Sequence, residues 1–176
     1  RPPEIRKSQE KANELLLKSA NLGLSQANSK LARNYSNGED GFEKDQDEGL
    51  FRASVAFALN GSDTNALFVG MYHHRKDIPD PSPYLACYYL NIAANSENVR
   101  VSGMACCSYS RALKNLSLYL HDGNIVEIPG SNVVPAMFFW LRKSRDMGYN
   151  KAGAMLKEWE SSGQSQCANC YKGAQG

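Results

Sequence analysis

The chain of 176 residues is long enough for one ordinary domain or a short array of repeats. Hydrophobic residues make up 42% of it and charged residues 22%, which is typical of globular proteins and argues against intrinsic disorder. The formal charge of +2 argues against a nucleic-acid partner or an anionic membrane surface, and no apolar run reaches the roughly 20 residues of a membrane-spanning helix.

The first predicted helix pair lies between Lys11 and Gly38. In its first helix, small and apolar residues recur at the spacing of one helix face: Ala12, Leu15, Leu16, Ser19 and Ala20. Gly23 is the expected stop, since glycine suits the left-handed backbone after a helix. The second helix places a second set on one face, namely Ala27, Leu31, Ala32 and Tyr35.

The same two patterns recur in a second predicted pair. Asp45 and Glu48 have the spacing of a capping box that begins a helix. The first pattern then returns at Leu50, Ala53, Ser54, Phe57 and Ala58, with Gly61 as the expected stop. Ala58 lies 38 residues after Ala20, and the second pattern returns less regularly at Val69, Gly70 and His73.

A third pair follows Pro83, which we expect in the first turn of its helix. Its two faces are Ala86, Tyr89, Leu90, Ala93 and Ala94, then Val101, Ala105, Cys106 and Tyr109. A fourth, less regular pair follows Pro135, with Met137, Trp140, Leu141, Ser144, the expected stop Gly148, and then Ala152 and Leu156. The longer spacing between the last two pairs indicates an insertion near 116–132. Because Asp122-Gly123 is a turn signal between short β-prone runs, this insertion is either a small β-hairpin or an ordered loop.

Four helix pairs predict an all-α fold. A unit of 36 to 38 residues with two helices has the size of a tetratricopeptide-like repeat, and stacked units form a continuous core. The small residues would allow close helix approach, and Tyr35, Phe57, Tyr89 and Tyr109 would fill the space between units. An irregular helical bundle is the alternative.

The first copy also resembles a known family. Lys18-Ser-Ala-Asn-Leu-Gly23, followed by Ala27-x-x-x-Leu-Ala-x-x-Tyr35-x-x-Gly38-x-x-Gly41-Phe-x-x-Asp45, is similar to the Sel1-like repeat. The departures are Ser19 for alanine, Ala32 for glycine and one extra residue before Gly41. The resemblance implies a right-handed α-solenoid of antiparallel helix pairs over 5–160, with repeats at 9–45, 46–82, 83–115 and 133–160. It also implies a scaffold or adaptor for a protein or peptide partner, with the contact residues unknown.

The end of the chain, Cys167-Ala-Asn-Cys170-Tyr-Lys-Gly173, resembles the start of a MYND-type zinc finger. Two thiolates make half of a tetrahedral zinc site, and the further ligands of that family are absent from this sequence. We therefore expect Cys167 and Cys170 to lie on a flexible tail, 161–176, that holds an incomplete finger in a fragment or truncated product. Zinc would bind only to a complete finger, so no cofactor is expected here. A zinc-dependent interaction protein is the alternative function.

The remaining cysteines predict an intracellular protein. Cys87, Cys106 and Cys107 show no regular pairing, and the N-terminus lacks a signal-type apolar stretch, so we expect the cytoplasm or the nucleus. The lack of pairing also argues against the β-lactamase-like branch of Sel1-like proteins. An enzyme on an α-solenoid is therefore the least favoured alternative, and no catalytic residue is predicted.

Three short segments have two interpretations each. His73-His74 is either an anion or metal site or, as we favour, the solvated cationic end of a helix. His121-Asp122 is either a base with an orienting carboxylate or, as we favour, polar residues of a loop. The run from Phe138 to Leu141 is either an exposed docking patch or, as we favour, the last buried layer of the stack.

Overall fold

The structure is a computed structural model, and it describes residues 3–75, 78, 80–120 and 133–161. This part of the chain contains eight α-helices and no strand, which confirms the all-α class. The helices are α1 (Pro3–Asn21), α2 (Ser25–Asn37), α3 (Gln46–Leu59), α4 (Asp63–His73), α5 (Pro83–Ala94), α6 (Val99–Leu120), α7 (Val133–Asp146) and α8 (Asn150–Ser161).

The helices follow one another in the predicted pairs. Short turns at 22–24, 60–62, 95–98 and 147–149 join the two helices of each pair. Neighbouring helices pack on each other, namely α1 on α2, α2 on α3, α5 on α6, α6 on α7 and α7 on α8. The chain divides into two compact units, 1–72 and 73–176. The array boundaries 5–160, its four repeats and the tail 161–176 stay predictions.

In the first unit, α1 buries a different face from the predicted one. Leu15 is 58% exposed, whereas Leu16 and Leu17 pack against the small cluster formed by Ala20, Ala27 and Leu31. Ala12 is also exposed. Two overlapping faces of this helix have the spacing of a buried face. The observed face agrees with the position of Asn13, whose Nδ2 donates a hydrogen bond of 2.8 Å to the Asp40 carbonyl oxygen.

The connection from α2 to α3 folds back on α2. Gly38 and Gly41 have φ values of +70° and +83°, in the left-handed region that glycine tolerates. The amides of Gly38 and Glu39 donate to the Asn34 carbonyl, at 2.8 and 3.0 Å, and so close the helix. The Tyr35 and Phe42 rings meet edge-to-face at 4.9 Å.

The start of α3 confirms half of the predicted capping box. The Asp45 carboxylate accepts hydrogen bonds of 3.0 Å from the amides of Asp47 and Glu48. The return bond is not formed, so that part of the prediction was wrong. The Glu48 carboxylate instead accepts from Arg52 Nε at 2.7 Å, and the Asp45 amide donates to the Tyr35 carbonyl at 2.9 Å.

The predicted stops are confirmed at Gly23 and Gly148, whose φ values are +89° and +80°. Gly61 does not act in this way, because α3 ends at Leu59 and Asn60 follows it with an extended backbone at φ −152°. The buried residues of α3 also differ from the predicted set. Ala58 is exposed, and the stripe that faces inward is Gly49, Ala53 and Ala56.

Helices α2 and α3 approach each other closely at Gly49. A Cβ atom there would lie 2.5 Å from Ser36 Oγ and 3.3 Å from the Ala32 carbonyl oxygen. Arg52, one turn further along α3, donates to Asn21 Oδ1 at 3.1 Å and to Asn28 Oδ1 at 3.3 Å. The packing of α2 on α3 therefore depends on glycine at position 49, where a side chain would not fit, and on the largely buried guanidinium of Arg52.

We expect Gly49→Ala to lower the stability of the first unit by about 1–3 kcal/mol, because overpacking outweighs the better helix propensity of alanine. The matched control is Gly153→Ala in α8, where no atom lies within 4 Å of the added Cβ. It should raise stability by up to about 1 kcal/mol. Denaturant unfolding followed by circular dichroism measures both. Equal gains in the two variants would contradict the close approach, and adding Ser36→Ala should recover part of the Gly49→Ala loss.

In the second unit, α6 packs against α5 on one side and against α7 on another. Three buried serine hydroxyls donate to backbone carbonyls across these interfaces. The bonds are Ser102 Oγ to Ala94 O at 2.7 Å, Ser110 Oγ to Met137 O at 2.7 Å, and Ser144 Oγ to Gly103 O at 2.6 Å. Small residues therefore bring the three backbones close together while every buried hydroxyl of this set donates a hydrogen bond.

Helix α6 extends further than the pattern predicted, because it continues to Leu120. Residues 116–120, which we placed in the insertion, are therefore helical. The run from Leu113 to Leu120 continues the helix without a proline or glycine to end it. Residues 121–132 lie outside the described residues, so the hairpin or loop predicted there is not tested.

The core of the second unit lies where α6, α7 and α8 meet. Phe138 and Leu141 are buried, and the Phe138 ring lies edge-on to Trp159 with centroids 6.1 Å apart. The favoured interpretation of the Phe138–Leu141 run is thus confirmed for these two residues. It fails for Phe139, which is 57% exposed, because four consecutive residues of a helix cannot all face one neighbour.

Candidate functional site

The residues predicted to carry a zinc site lie outside the described part of the chain. This applies to Cys167 and Cys170, and also to His121 and Asp122 of the predicted loop. Among the described residues, no group of three or more His, Cys, Asp or Glu side chains is placed to hold a metal ion. The zinc-finger hypothesis therefore stays a prediction.

The end of α4 differs from the solvated cationic end that we favoured. His73 is half-buried, and burial lowers the pKa of its imidazole, although the nearby Asp80 carboxylate opposes this. This shift favours the uncharged form of the His73 ring, so the positive charge that we expected at this helix end is weaker at His73.

The described cysteines are structural. Cys106 and Cys107 are 0% and 4% exposed, as expected for small hydrophobic residues on a core helix. The Cys106 thiol lies 3.7 Å from the Ala94 carbonyl oxygen and 3.9 Å from Ser102 Oγ. Burial raises the pKa of both thiols, and it raises the pKa of Cys87 to about 12. None of the three is an activated nucleophile.

These pKa shifts predict slow thiol chemistry in the folded chain. At pH 8 the thiolate fraction of Cys87 would be about one part in ten thousand, so alkylation by iodoacetamide should be far slower than in guanidinium-unfolded protein. The test uses Cys167→Ser with Cys170→Ser, so that only Cys87, Cys106 and Cys107 are counted by mass spectrometry. Labelling of any of the three at the unfolded-state rate would contradict their burial.

The exposed side of α5 is aromatic and uncharged. Tyr84 and Tyr88 lie one turn apart and are 53% and 61% exposed, and Leu85 beside them is 42% exposed. No residue of α5 is charged. This helix therefore buries Ala86, Leu90, Ala93 and Ala94 while it presents large rings to solvent.

A second group of aromatic side chains lies on α6 and α7, which pack on each other. The rings of Tyr109 and Trp140 have centroids 5.3 Å apart, and Phe139 lies edge-on to Trp140 at 5.2 Å. Burial raises the pKa of Tyr109, and the adjacent Cys87 raises it further, whereas a hydrogen bond with the Asn91 side chain opposes the shift. Tyr109 therefore lies between α5 and α7. We call the five rings of Tyr84, Tyr88, Tyr109, Phe139 and Trp140 the aromatic face.

One cation lies at the edge of the aromatic face. Lys143 Nζ is 4.7 Å from the centroid of the Trp140 ring and 3.5 Å from the carbonyl oxygen of Ala94, the last residue of α5. The other cations of α7 have partners, since Arg142 pairs with Glu160 and Arg145 pairs with Asp146. For Lys143, the described part of the chain provides no carboxylate within ion-pair distance.

The sequence contains a signal for this surface that lies outside the repeat pattern. The repeat pattern selects positions that recur, and in α5 four of its five positions are buried, namely Ala86, Leu90, Ala93 and Ala94. Tyr84 and Tyr88 fall outside that pattern on a helix without charged residues. A helix that is apolar on all sides is either fully buried or presents an apolar surface to a partner.

The first unit contains a half-open pocket of about 390 Å³, which is lined by Arg6, Gln9, Glu10, Asn13 and Gly41. Its side chains serve the fold, because Gln9 Nε2 donates to Asn13 Oδ1 at 3.0 Å while Asn13 binds the Asp40 carbonyl. The aromatic face is therefore the stronger candidate.

No family model, no curated protein and no solved structure matches this chain. In the described part of the chain, no helix is long and apolar enough to span a membrane.

Proposed function

We propose that this protein is an interaction scaffold that binds a protein or peptide partner on the aromatic face. The observation that carries the proposal is the exposure of large rings on two helices that pack on the same neighbour. Tyr84, Tyr88 and Phe139 are all more than half exposed. Single exposed apolar residues are common, but rings clustered in this way are typical of contact surfaces.

The physical basis is the contact area that rigid rings provide. Tyrosine, tryptophan and phenylalanine are enriched in protein interfaces because they bury a large surface and lose few rotatable bonds on binding. Tyr109 and Trp140 are already half-buried and contact each other, so a partner would meet a partly ordered surface. Preorganisation of this kind reduces the entropy lost on association.

The proposal includes the architecture that the sequence resemblance implies, a right-handed α-solenoid of Sel1-like repeats. Its support is the sequence of helix pairs with short internal turns, together with the left-handed Gly38 and Gly41 in the first connection. The buried, high-pKa cysteines favour a binding role over catalysis. Free Cys87, Cys106 and Cys107 suit a reducing compartment such as the cytoplasm or nucleus.

The test is selection of random linear peptides, displayed on phage, against the immobilised full chain. We expect recovered peptides to lose at least about tenfold in affinity for the double variant Tyr88→Ala with Phe139→Ala, because truncating two interface rings costs more than about 1.4 kcal/mol. The matched control is Phe51→Ala in α3, which removes a ring that is 54% exposed elsewhere. Failure to recover peptides, or peptides that bind the double variant equally well, would contradict the proposal.

A further inference from the structure

The charge distribution around the aromatic face indicates which partners it fits. Helix α5 contributes no charge, and α7 contributes Lys143 at the edge of the face. The α7 carboxylate Asp146 is held by Arg145, with 2.7 Å between Oδ1 and Nη2. Among the charged side chains of these two helices, Lys143 is therefore the one in contact with a ring of the aromatic face and without a carboxylate partner among the described residues.

Lys143 has the capacity to bind a further acceptor. An ammonium group has three N–H donors. The contact with the Ala94 carbonyl is long, at 3.5 Å, and that oxygen already accepts a 2.7 Å hydrogen bond from Ser102. The other close contact of Lys143 Nζ is the face of the Trp140 ring, which positions the ammonium group without using a directed acceptor.

The position of Lys143 also selects against cations. A positively charged group placed over the Trp140 ring would be repelled by the Lys143 ammonium group, which already lies 4.7 Å from the ring centroid. A carboxylate on the ligand would instead gain a charge-assisted hydrogen bond while a neighbouring apolar side chain covers the rings. Electrostatic complementarity of this kind contributes more to the specificity of binding than to its affinity.

From this arrangement we infer that the aromatic face binds an acidic linear peptide, in which an aromatic or aliphatic side chain contacts Tyr88 and Phe139 and a nearby carboxylate pairs with Lys143. This inference rests on the proposed docking role of the same face and adds the chemical class of the partner.

The first test is the composition of the phage-displayed peptides recovered on the full chain. We expect Asp or Glu to be enriched within a few positions of an aromatic or aliphatic residue, relative to the unselected pool. Peptides that depend on Tyr88 and Phe139 but show no acidic enrichment, or a basic one, would overturn the inference and leave the docking role intact. Absence of any binder to the aromatic face would overturn both.

The second test is charge substitution at Lys143, with a synthetic acidic peptide from that selection and its Gln/Asn-substituted counterpart as probes. Lys143→Glu should weaken the acidic peptide at least about tenfold, the scale of a lost hydrogen bond between charged groups, and leave the neutral counterpart almost unchanged. Lys143→Arg should retain binding. The matched control is Lys157→Glu in α8, which makes the same change of charge at an exposed position outside the aromatic face.

Three further measurements separate the alternatives. Circular dichroism must show that Lys143→Glu is folded, and Lys143→Gln provides a milder variant that retains an N–H donor. Binding of the acidic peptide should weaken as salt rises from 50 to 500 mM, since an exposed charge pair is screened. Equal weakening by Lys157→Glu would overturn the inference, because it would indicate net charge alone. A dimer of the free chain that Tyr88→Ala dissociates would also overturn it, since a second copy would then cover the face.

Discussion

The close packing of α6 between α5 and α7 is the constraint on which the second unit depends. Small residues on α6 allow it, and the hydroxyls of Ser102 and Ser110 satisfy carbonyl oxygens of the two neighbours. A larger side chain at either position would separate the helices and remove a buried hydrogen bond, which contributes about 0.5–1.5 kcal/mol. The geometry of both flanking helices is thus fixed by short polar side chains.

This packing determines what the two flanking helices present to solvent. Because other residues of α5 and α7 fill the contacts with α6 and the core, the rings of Tyr84, Tyr88 and Phe139 are left exposed. Tyr109 of α6 lies between the two helices, since its ring contacts Trp140 of α7 and its side chain interacts with Asn91 of α5. Lys143 then adds one charge where α7 comes near the end of α5. The candidate site is therefore a consequence of the core packing and needs no separate structural element.

The sequence predicted the helices well because their signals are local. Periodicity, the cap at Asp45 and the left-handed Gly23 each depend on a few neighbouring residues. It failed where two helix faces have the right spacing, as in α1, where Asn13 binds the distant Asp40 carbonyl, Leu15 is exposed and Leu16 is partly buried. The aromatic face was missed for a related reason, because exposure depends on which neighbours cover a helix. Periodicity identifies the buried stripe of α5 and says nothing about Tyr88.

The most direct test of this account is the location of a bound acidic peptide by nuclear magnetic resonance. Intermolecular NOEs report proton pairs in close contact and do not depend on mutation. The account predicts NOEs from an apolar side chain of the peptide to the rings of Tyr88 and Phe139, and from protons next to its carboxylate to the Lys143 side chain. A peptide whose NOEs lie on the first unit, or on α8 alone, would contradict it.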